Sequence, residues 1–335
     1  MTDEETGLDF MILAGNSNLV LSKKISEHLD TELCKAKIKR FSDGEIQIEI
    51  QENVRKRKVM VVQSLCRSDA NNVNDNIVEL LLMIDALKRS SVKRVTVVMP
   101  YFGYARQDKK VAPRVPISAK LLADLIEKAG ANRIIGMDFH SAQIQGFFNV
   151  PVDNMSAWPA LFNYVLDNYE RKSLVVVSPD AGGTERARAF AKPLGANVAI
   201  VDKRRSAPNQ AKAMSIIGDV EGKVAIILDD MIDTAGTITE AADLIIEKGA
   251  IEVHGMCTHP VLSGKAIERI KESSISSVVV ADTIPLNDEA KTCDKIVTIS
   301  ISKIIAESVR RSFLGESVSD LFLPVKGEIF EKIEY

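Results

Sequence analysis

Neither GxxxxGK followed by Ser or Thr nor GxGxxG occurs in the chain. The two standard glycine-rich nucleotide loops are therefore excluded, and any phosphate must be held by other means. Cysteine is sparse: Cys34, Cys66, Cys257 and Cys293 stand far apart with no CxxC spacing. That pattern marks them as reduced structural thiols. No apolar run approaches a membrane span, and the opening "MTDEETGLDF" is acidic with no hydrophobic signal core. The expectation is a cytoplasmic protein with no membrane partner. Basic charge is not in excess either: the net charge is −3 and the isoelectric point is near 5.9. A nucleic-acid partner is disfavoured, whereas phosphate ligands need only local basic groups.

What is present is material for a large core. Hydrophobic residues make up 46% of 335 positions, which excludes a disordered chain and gives two domains as the prior. Short β-branched runs recur, among them "KVMVVQS", "RVTVVMP", "SLVVVSPD", "KVAIILDD" and "SSVVVAD". They are continuous, not alternating, as in strands buried on both faces of a parallel sheet. In "NDNIVELLLMIDALKRS", Ile77, Leu80, Leu81, Ile84 and Leu87 recur at helical spacing, and Lys88-Arg89 suit a helix C-terminus. Strand–helix alternation implies an α/β fold.

The chain also repeats itself. "ADLIEKAGANRIIGMDFH" (123–140) aligns without gaps to "ADLIIEKGAIEVHGMCTH" (242–259), with nine of eighteen positions identical. Each copy reads as the end of a helix, a Gly turn and a strand, and each follows another strand and a polar loop. A duplication is the reading, giving two domains each with a central, mainly parallel sheet flanked by helices. The seam falls near "VPVDNMSAWP" (150–159), where two prolines interrupt the pattern.

The polar loops carry the chemistry. In "ILDDMIDTAGTI" (227–238) a strand ending at Leu228 leads through Thr234, Ala235, Gly236 and Thr237 into a helix. The backbone amides there form a ready anion site. Asp229 and Asp230 would repel a phosphate, but they suit sugar hydroxyls, directly or through Mg²⁺. The unit fits a phosphorylated sugar; a plain N-capped helix is the competing reading. The matching loop of the first copy, "YFGYARQDKK" (101–110), offers Arg106, Lys109 and Lys110, a clamp for polyphosphate or a solvated basic loop. His140 and Asp180 stand just past strands, where open α/β sheets bind ligands, and are candidates for Mg²⁺ or its waters. His28 reads as solvated; His254 and His259 read as structural. "VDKRRSAPNQAKAMSIIGD" (201–219) leaves a strand with Lys203, Arg204 and Arg205, able to close over a substrate and stabilise a transferring phosphoryl group. "RFSDGEIQIEI" (40–50) alone is a hairpin tip turning at Asp43-Gly44.

Taken together, these segments resemble the ribose-phosphate pyrophosphokinases, also called phosphoribosyl pyrophosphate synthetases, from about Leu8 to about Phe322. "FSDGE", "PYFGYARQD", "QIQGFF", "SPDAGG", "DKRR" and "DDMIDTAGTI" occur in the family order. The last alone indicates only the wider phosphoribosyltransferase group; "YFGYARQD" with "QIQGFF" narrows it. The resemblance implies two phosphoribosyltransferase-like domains, here 8–155 and 156–325. It implies formation of phosphoribosyl pyrophosphate and AMP from ATP and ribose 5-phosphate, with Mg²⁺ as cofactor. By the same resemblance Asp229, Asp230, Asp233 and Thr234 to Thr237 hold ribose 5-phosphate, and Arg106 and Gln107 contact ATP. His140 and Asp180 serve the metal, and Lys203 and Arg205 are the catalytic loop residues. Phe41, Asp43 and Glu45 belong to an adenine-side loop supplied by a neighbouring subunit, within a dimer-based homohexamer. Inorganic phosphate and ADP are the implied effectors. One departure is Lys56, where the family usually has Gly after "ENVR". No residue is an obvious general base; Asp229 and Asp230 are both open. Two other readings share parts of the pattern: a phosphoribosyltransferase that consumes the product, and a non-catalytic regulatory partner of the synthetase.

Overall fold

A computed structural model of the chain describes residues 10–69, 71–204 and 213–321. The first half runs β1 (Met11–Ala14), α1 (Leu19–His28), β2 (Ala36–Arg40), β3 (Ile46–Ile50), β4 (Lys58–Val62), α2 (Val73–Arg89), β5 (Arg94–Met99), α3 (Ser118–Ala129), β6 (Arg133–Met137) and β7 (Val152–Met155). β1, β4, β5, β6 and β7 form a five-stranded sheet in that spatial order, every neighbouring pair parallel. β2 and β3 form a separate antiparallel hairpin that lies against α2. The second half runs α4 (Trp158–Asn168), β8 (Leu174–Ser178), α5 (Thr184–Leu194), β9 (Asn197–Arg204), β10 (Ala213–Ile217), β11 (Val224–Ile232), α6 (Gly236–Glu247), β12 (Glu252–Pro260), α7 (Ala266–Glu272), β13 (Ser277–Ala281), α8 (Asp288–Lys291), β14 (Ile296–Ile299) and α9 (Ser302–Leu314). Its seven strands are ordered β10-β9-β8-β11-β12-β13-β14, parallel except for edge strand β10.

The continuous apolar runs explain the layering. Successive strand residues point to opposite faces, so a strand covered on both sides needs no polar alternation. Val59 and Val61 of β4 join the core under α2 and α3, while Met60 and Val62 join the opposite core. That opposite core is completed from far away: Ile304, Ile305 and Val309 of α9 pack with Leu21 and Ile25 of α1. The second sheet is covered by α6 and α7 on one face and by α4 and α5 on the other. The repeated segments occupy matching places, the end of α3 with β6 and the end of α6 with β12. Their preceding strands, β5 and β11, lie beside them in the two sheets.

Two details differ from the sequence reading. β11 does not stop at Leu228; it continues to Ile232 because β12 runs on beside it, with Asp229 opposite Cys257 and Met231 opposite His259. Asp229 and Asp230 are thus held in a strand, not a loop. β9 likewise carries Lys203 and Arg204 in register with Met214 and Ala213 of β10. Lys56 sits at φ 58°, a left-handed turn before β4 closed by its N–H to the Ser91 carbonyl at 2.9 Å. That conformation favours glycine, which accounts for the residue type usual at this place.

Candidate active site

The duplicated loops meet across the seam. Each follows the C-terminal end of a parallel strand, β5 or β11, where ligands of such sheets sit. Arg106 Nη1 donates to Asp233 Oδ2 at 2.5 Å. Burial alone would push the Asp233 carboxyl up, but the Ser263 hydroxyl and Arg106 together hold it below the ordinary aspartate range. Ser263 fixes it from both sides, its Oγ donating to Oδ1 at 2.5 Å and its N–H to the Asp233 carbonyl at 2.9 Å. Gln107 sits beside Arg106 and accepts the Ser118 hydroxyl. Next to it, Asp108 is buried, taking Ser141 Oγ at 2.6 Å and Gln143 Nε2 at 2.7 Å. Asp108 thereby ties the basic loop to the segment just past His140. Arg106, Gln107 and Asp233 border a cleft of about 1140 Å³ between the two halves, whose floor is Cys66, Tyr101 and Ile284.

The acid pair lies at the end of β11. Asp230 is buried, and His140 Nδ1 donates to its Oδ2 at 2.8 Å. On its other oxygen Arg186, from the first turn of α5, donates from Nη1 at 3.1 Å and reaches Asp229 Oδ1 at 3.3 Å. The two carboxylates split in response. Burial, followed by the Asp230 carboxylate beside it, raises Asp229. Burial works the same way on Asp230, but His140 and Arg186 outweigh it and hold Asp230 ionised. His140 is raised in turn, chiefly by its bond to Asp230.

The phosphate-type loop is formed by Thr234, Ala235, Gly236 and Thr237 at the start of α6. Ala235 takes the left-handed φ of 60°, and no side chain caps the helix, so its first amides keep their donors for a ligand. Arg269 Nη1 braces the loop through the Thr234 carbonyl at 2.7 Å. Thr234 and Thr237 are exposed.

Other sequence-flagged residues are placed differently. Asp180 spends one carboxylate oxygen within its own turn, accepting the Gly183 N–H at 3.0 Å. Phe41, Asp43 and Glu45 form the tip of the β2–β3 hairpin, with the Asp43 carboxylate taking the Glu45 N–H at 3.1 Å. Arg40 anchors that tip to Gly44 and Asn71 and ion-pairs Asp75, while Phe41 stays half exposed. Among the described residues, no hydrogen bond or ion pair joins the tip to Arg106 or the acid pair of the same chain. Lys203 is the penultimate residue of β9, and Arg205 lies outside the described residues. Among the described residues, no group of three His, Cys, Asp or Glu side chains forms a ready metal cage, and no helix is long and apolar enough to cross a membrane. Sequence reasoning missed Arg186, whose "ERAR" context reads as a solvated helix, and Asp108, whose burial among basic neighbours no pattern shows.

A basic loop and an acidic loop of duplicated origin, facing one cleft beside a helix N-terminus, define a transferase of phosphorylated substrates on an α/β scaffold. The comparisons with known proteins make the class specific. A family profile for the N-terminal domain of ribose phosphate pyrophosphokinase matches residues 10–130, and a phosphoribosyl synthetase-associated domain matches 201–323. The chain is 52% identical over 325 residues to the ribose-phosphate pyrophosphokinase of Oceanobacillus iheyensis, covering 96% of this chain and 100% of that one. It is 52% identical over 311 residues to that of Bacillus caldolyticus, covering 93% and 97%. The phosphoribosylpyrophosphate synthetase structure from Mycobacterium smegmatis superposes with a TM-score of 0.86 at 39% identity, covering 92% of this chain and all of that one. The chain belongs to the ribose-phosphate pyrophosphokinase family and is an enzyme of that class.

Proposed function

We propose that the chain transfers the β,γ-pyrophosphoryl group of ATP to the 1-hydroxyl of ribose 5-phosphate, with the two loops dividing the work. The observation that carries this reading is the Arg106–Asp233 bond, which brings the basic and acidic copies of one loop position to the same cleft. The amides of Thr234 to Thr237 suit the 5-phosphate, and Asp229, Asp230 and Asp233 suit the ribose hydroxyls. Arg106 offers its fork, and Gln107 its amide, to the ATP phosphates. The cleft is large enough for a nucleotide. The N-terminal half, 8–155, is then the ATP side and the C-terminal half, 156–325, the ribose side.

The donors fit a divalent metal that arrives with its substrate. Mg²⁺ commonly binds through one or two carboxylates plus substrate phosphates, and the carboxylates of exposed Asp180 and half-buried Asp229 are of that kind. Mg²⁺, when bound there with His140 and Asp180 serving it or its waters, would draw charge from the phosphoryl oxygens. Arg186 and His140 keep Asp230 ionised and oriented. Lys203 and Arg205 bring positive charge to the transferring group, an effect worth roughly 10³–10⁵ in rate for comparable arginines. Asp229, the raised member of the pair, is the better placed to accept the proton of the attacking hydroxyl.

Phe41, Asp43 and Glu45 are exposed on a hairpin, the form expected of a loop that completes the ATP site of a second copy in a dimer-based hexamer. Inorganic phosphate and ADP are the proposed effectors, and the cytoplasm the proposed location. The test is direct. Protein incubated with ATP, ribose 5-phosphate, Mg²⁺ and phosphate should release AMP. ADP as product would identify an ordinary kinase, and no turnover a regulatory partner.

A further inference from the structure

His140 and His259 occupy the same place in the two repeats, yet their surroundings have diverged. His140 reaches Asp230 from just past β6. His259 is buried in β12, edge-on to Tyr101 with ring centroids 5.1 Å apart. Its Nε2 lies 3.1 Å from the backbone carbonyl of Asp138, two residues before His140, and its Nδ1 lies 3.1 Å from Thr283 Oγ1. A carbonyl can only accept, so Nε2 carries a proton and donates.

Asp138 is the centre of this arrangement. Its φ is 37°, in the left-handed region that few side chains other than Asn and Asp tolerate. The backbone reversal it makes folds the Phe139 ring onto Gly136, where a Cβ would lie 2.2 Å from a ring carbon. The carboxylate is bound by the start of the second half and by β12. Ser156 Oγ donates to Oδ1 at 2.7 Å, while the Ala157 N–H at 2.9 Å and Thr258 Oγ1 at 2.6 Å donate to Oδ2. Its own N–H donates to the Met155 carbonyl at 2.8 Å. Thr258 and His259 belong to β12, the strand paired with the β11 that carries the acid pair.

We infer that Asp138 is a positioning residue for His140, locking the turn after β6 to β12 so that the imidazole meets Asp230, with His259 as the support inherited from the duplicated copy. The energetic logic is that a strained turn persists only where its surroundings over-determine it. Five hydrogen bonds converge on one residue here, and two of them come from the strand beside the target. The Thr258 and His259 contacts fix the turn directly against the strand beside the acid pair. This inference rests on the proposed role of His140 in the reaction.

The experiment is a double-mutant cycle with a structural readout. Asp138→Gly keeps the left-handed turn but removes the carboxylate, and it should lower kcat about tenfold or more with KM for ribose 5-phosphate changed less than threefold. In a His140→Gln background the same substitution should change kcat less than twofold, because its effect passes through His140. His259→Gln, which removes the ring, should behave in the same way. Asp138→Asn, which tolerates the turn and keeps one acceptor, should rescue most of the activity and serves if the Gly variant unfolds. Ring ¹⁵N spectra at fixed pH resolve the four histidines of the chain. The His140 signal should move in Asp138→Gly and Asp138→Asn, by less in the latter. An equal loss of kcat in both backgrounds, or an unmoved His140 signal, overturns the positioning role. If His140→Gln itself leaves activity intact, the proposed function of His140 fails, while the spectra still decide the geometry.

Discussion

Arg106 and Asp233 lie 2.5 Å apart across the seam, one from each copy of a duplicated loop. Exposed ion pairs of this kind contribute about 0–1 kcal/mol to stability. The pair's value is therefore in placing charge at the cleft. Arg106→Ala should lower kcat/KM for ATP about 100-fold while shifting Tm by less than about 3 °C. Steady-state kinetics and a thermal melt on one preparation check both. A large Tm loss with unchanged kinetics would make the pair a fold element only.

The His140–Asp230 contact predicts a pH window. His140 is raised above its unfolded value near 6.5, so its contribution to stability is full below that pH and is lost as pH rises through the folded value. Asp230 is lowered, so its contribution is present above about pH 3.8 and is lost as pH falls through the folded value. The stability difference between wild type and His140→Gln should therefore be greatest between about pH 4 and 6.5 and shrink above it. Urea unfolding in EDTA across pH 4 to 8.5 measures it; a difference that grows towards pH 8 would contradict the contact.

Arg186 is the shared counter-ion of Asp229 and Asp230. Removing it leaves two adjacent carboxylates with only His140 between them and repulsion. Arg186→Ala should raise KM for ribose 5-phosphate about tenfold, or about 1.4 kcal/mol. Arg186→Lys should recover only part, since a point charge cannot serve two carboxylates as a guanidinium does. Full recovery by Lys would show that charge alone suffices.

Lys203 should act on the chemical step. Lys203→Ala is expected to lower kcat by orders of magnitude with little change in KM, the signature of an interaction made only in the transition state. An unchanged kcat in single-turnover measurements would remove Lys203 from the mechanism.

Lys56 carries a left-handed backbone at φ 58°. Relief of that strain, roughly 1–2 kcal/mol, is partly offset by the greater unfolded-state freedom of glycine, about 0.4–1 kcal/mol. Lys56→Gly should therefore raise stability by about 0.5–1 kcal/mol, seen as a Tm higher by about 1–4 °C. A lower Tm would assign the lysine side chain a contact of its own.

The residues whose chemistry is written in their type were legible from sequence. Asp229, Asp230, Arg106 and His140 each stand at a strand end beside a loop, and the repeat marked two of those loops as equivalent. What the sequence could not show is what holds them. The extension of β11 past Leu228 depends on β12, a pairing partner more than twenty residues away. Arg186 looks like any helix cation until α5 is laid against β8 and β11. Nothing in the sequence pattern singles out Asp108 or Asp138; only the folded chain shows them as anchors, one buried and one bridging the halves. The usual glycine at Lys56 was legible as a departure, and its cause is a dihedral angle.

The helix α9 has a consequence for how the protein is made. Ile304, Ile305 and Val309 pack beside Ile25 of α1 over the face of the first sheet that holds Ile12 and Met60. Ribosomes deliver the chain from its N-terminus, and domains generally fold as they emerge. The first sheet leaves the tunnel long before its cover does, with an apolar face open to solvent or to chaperones. Nascent chains halted before Ser302 should therefore bind a hydrophobic holdase that chains released after Leu321 escape. Completion of the first half thus waits on α9 of the second, so the two halves reach their final form together.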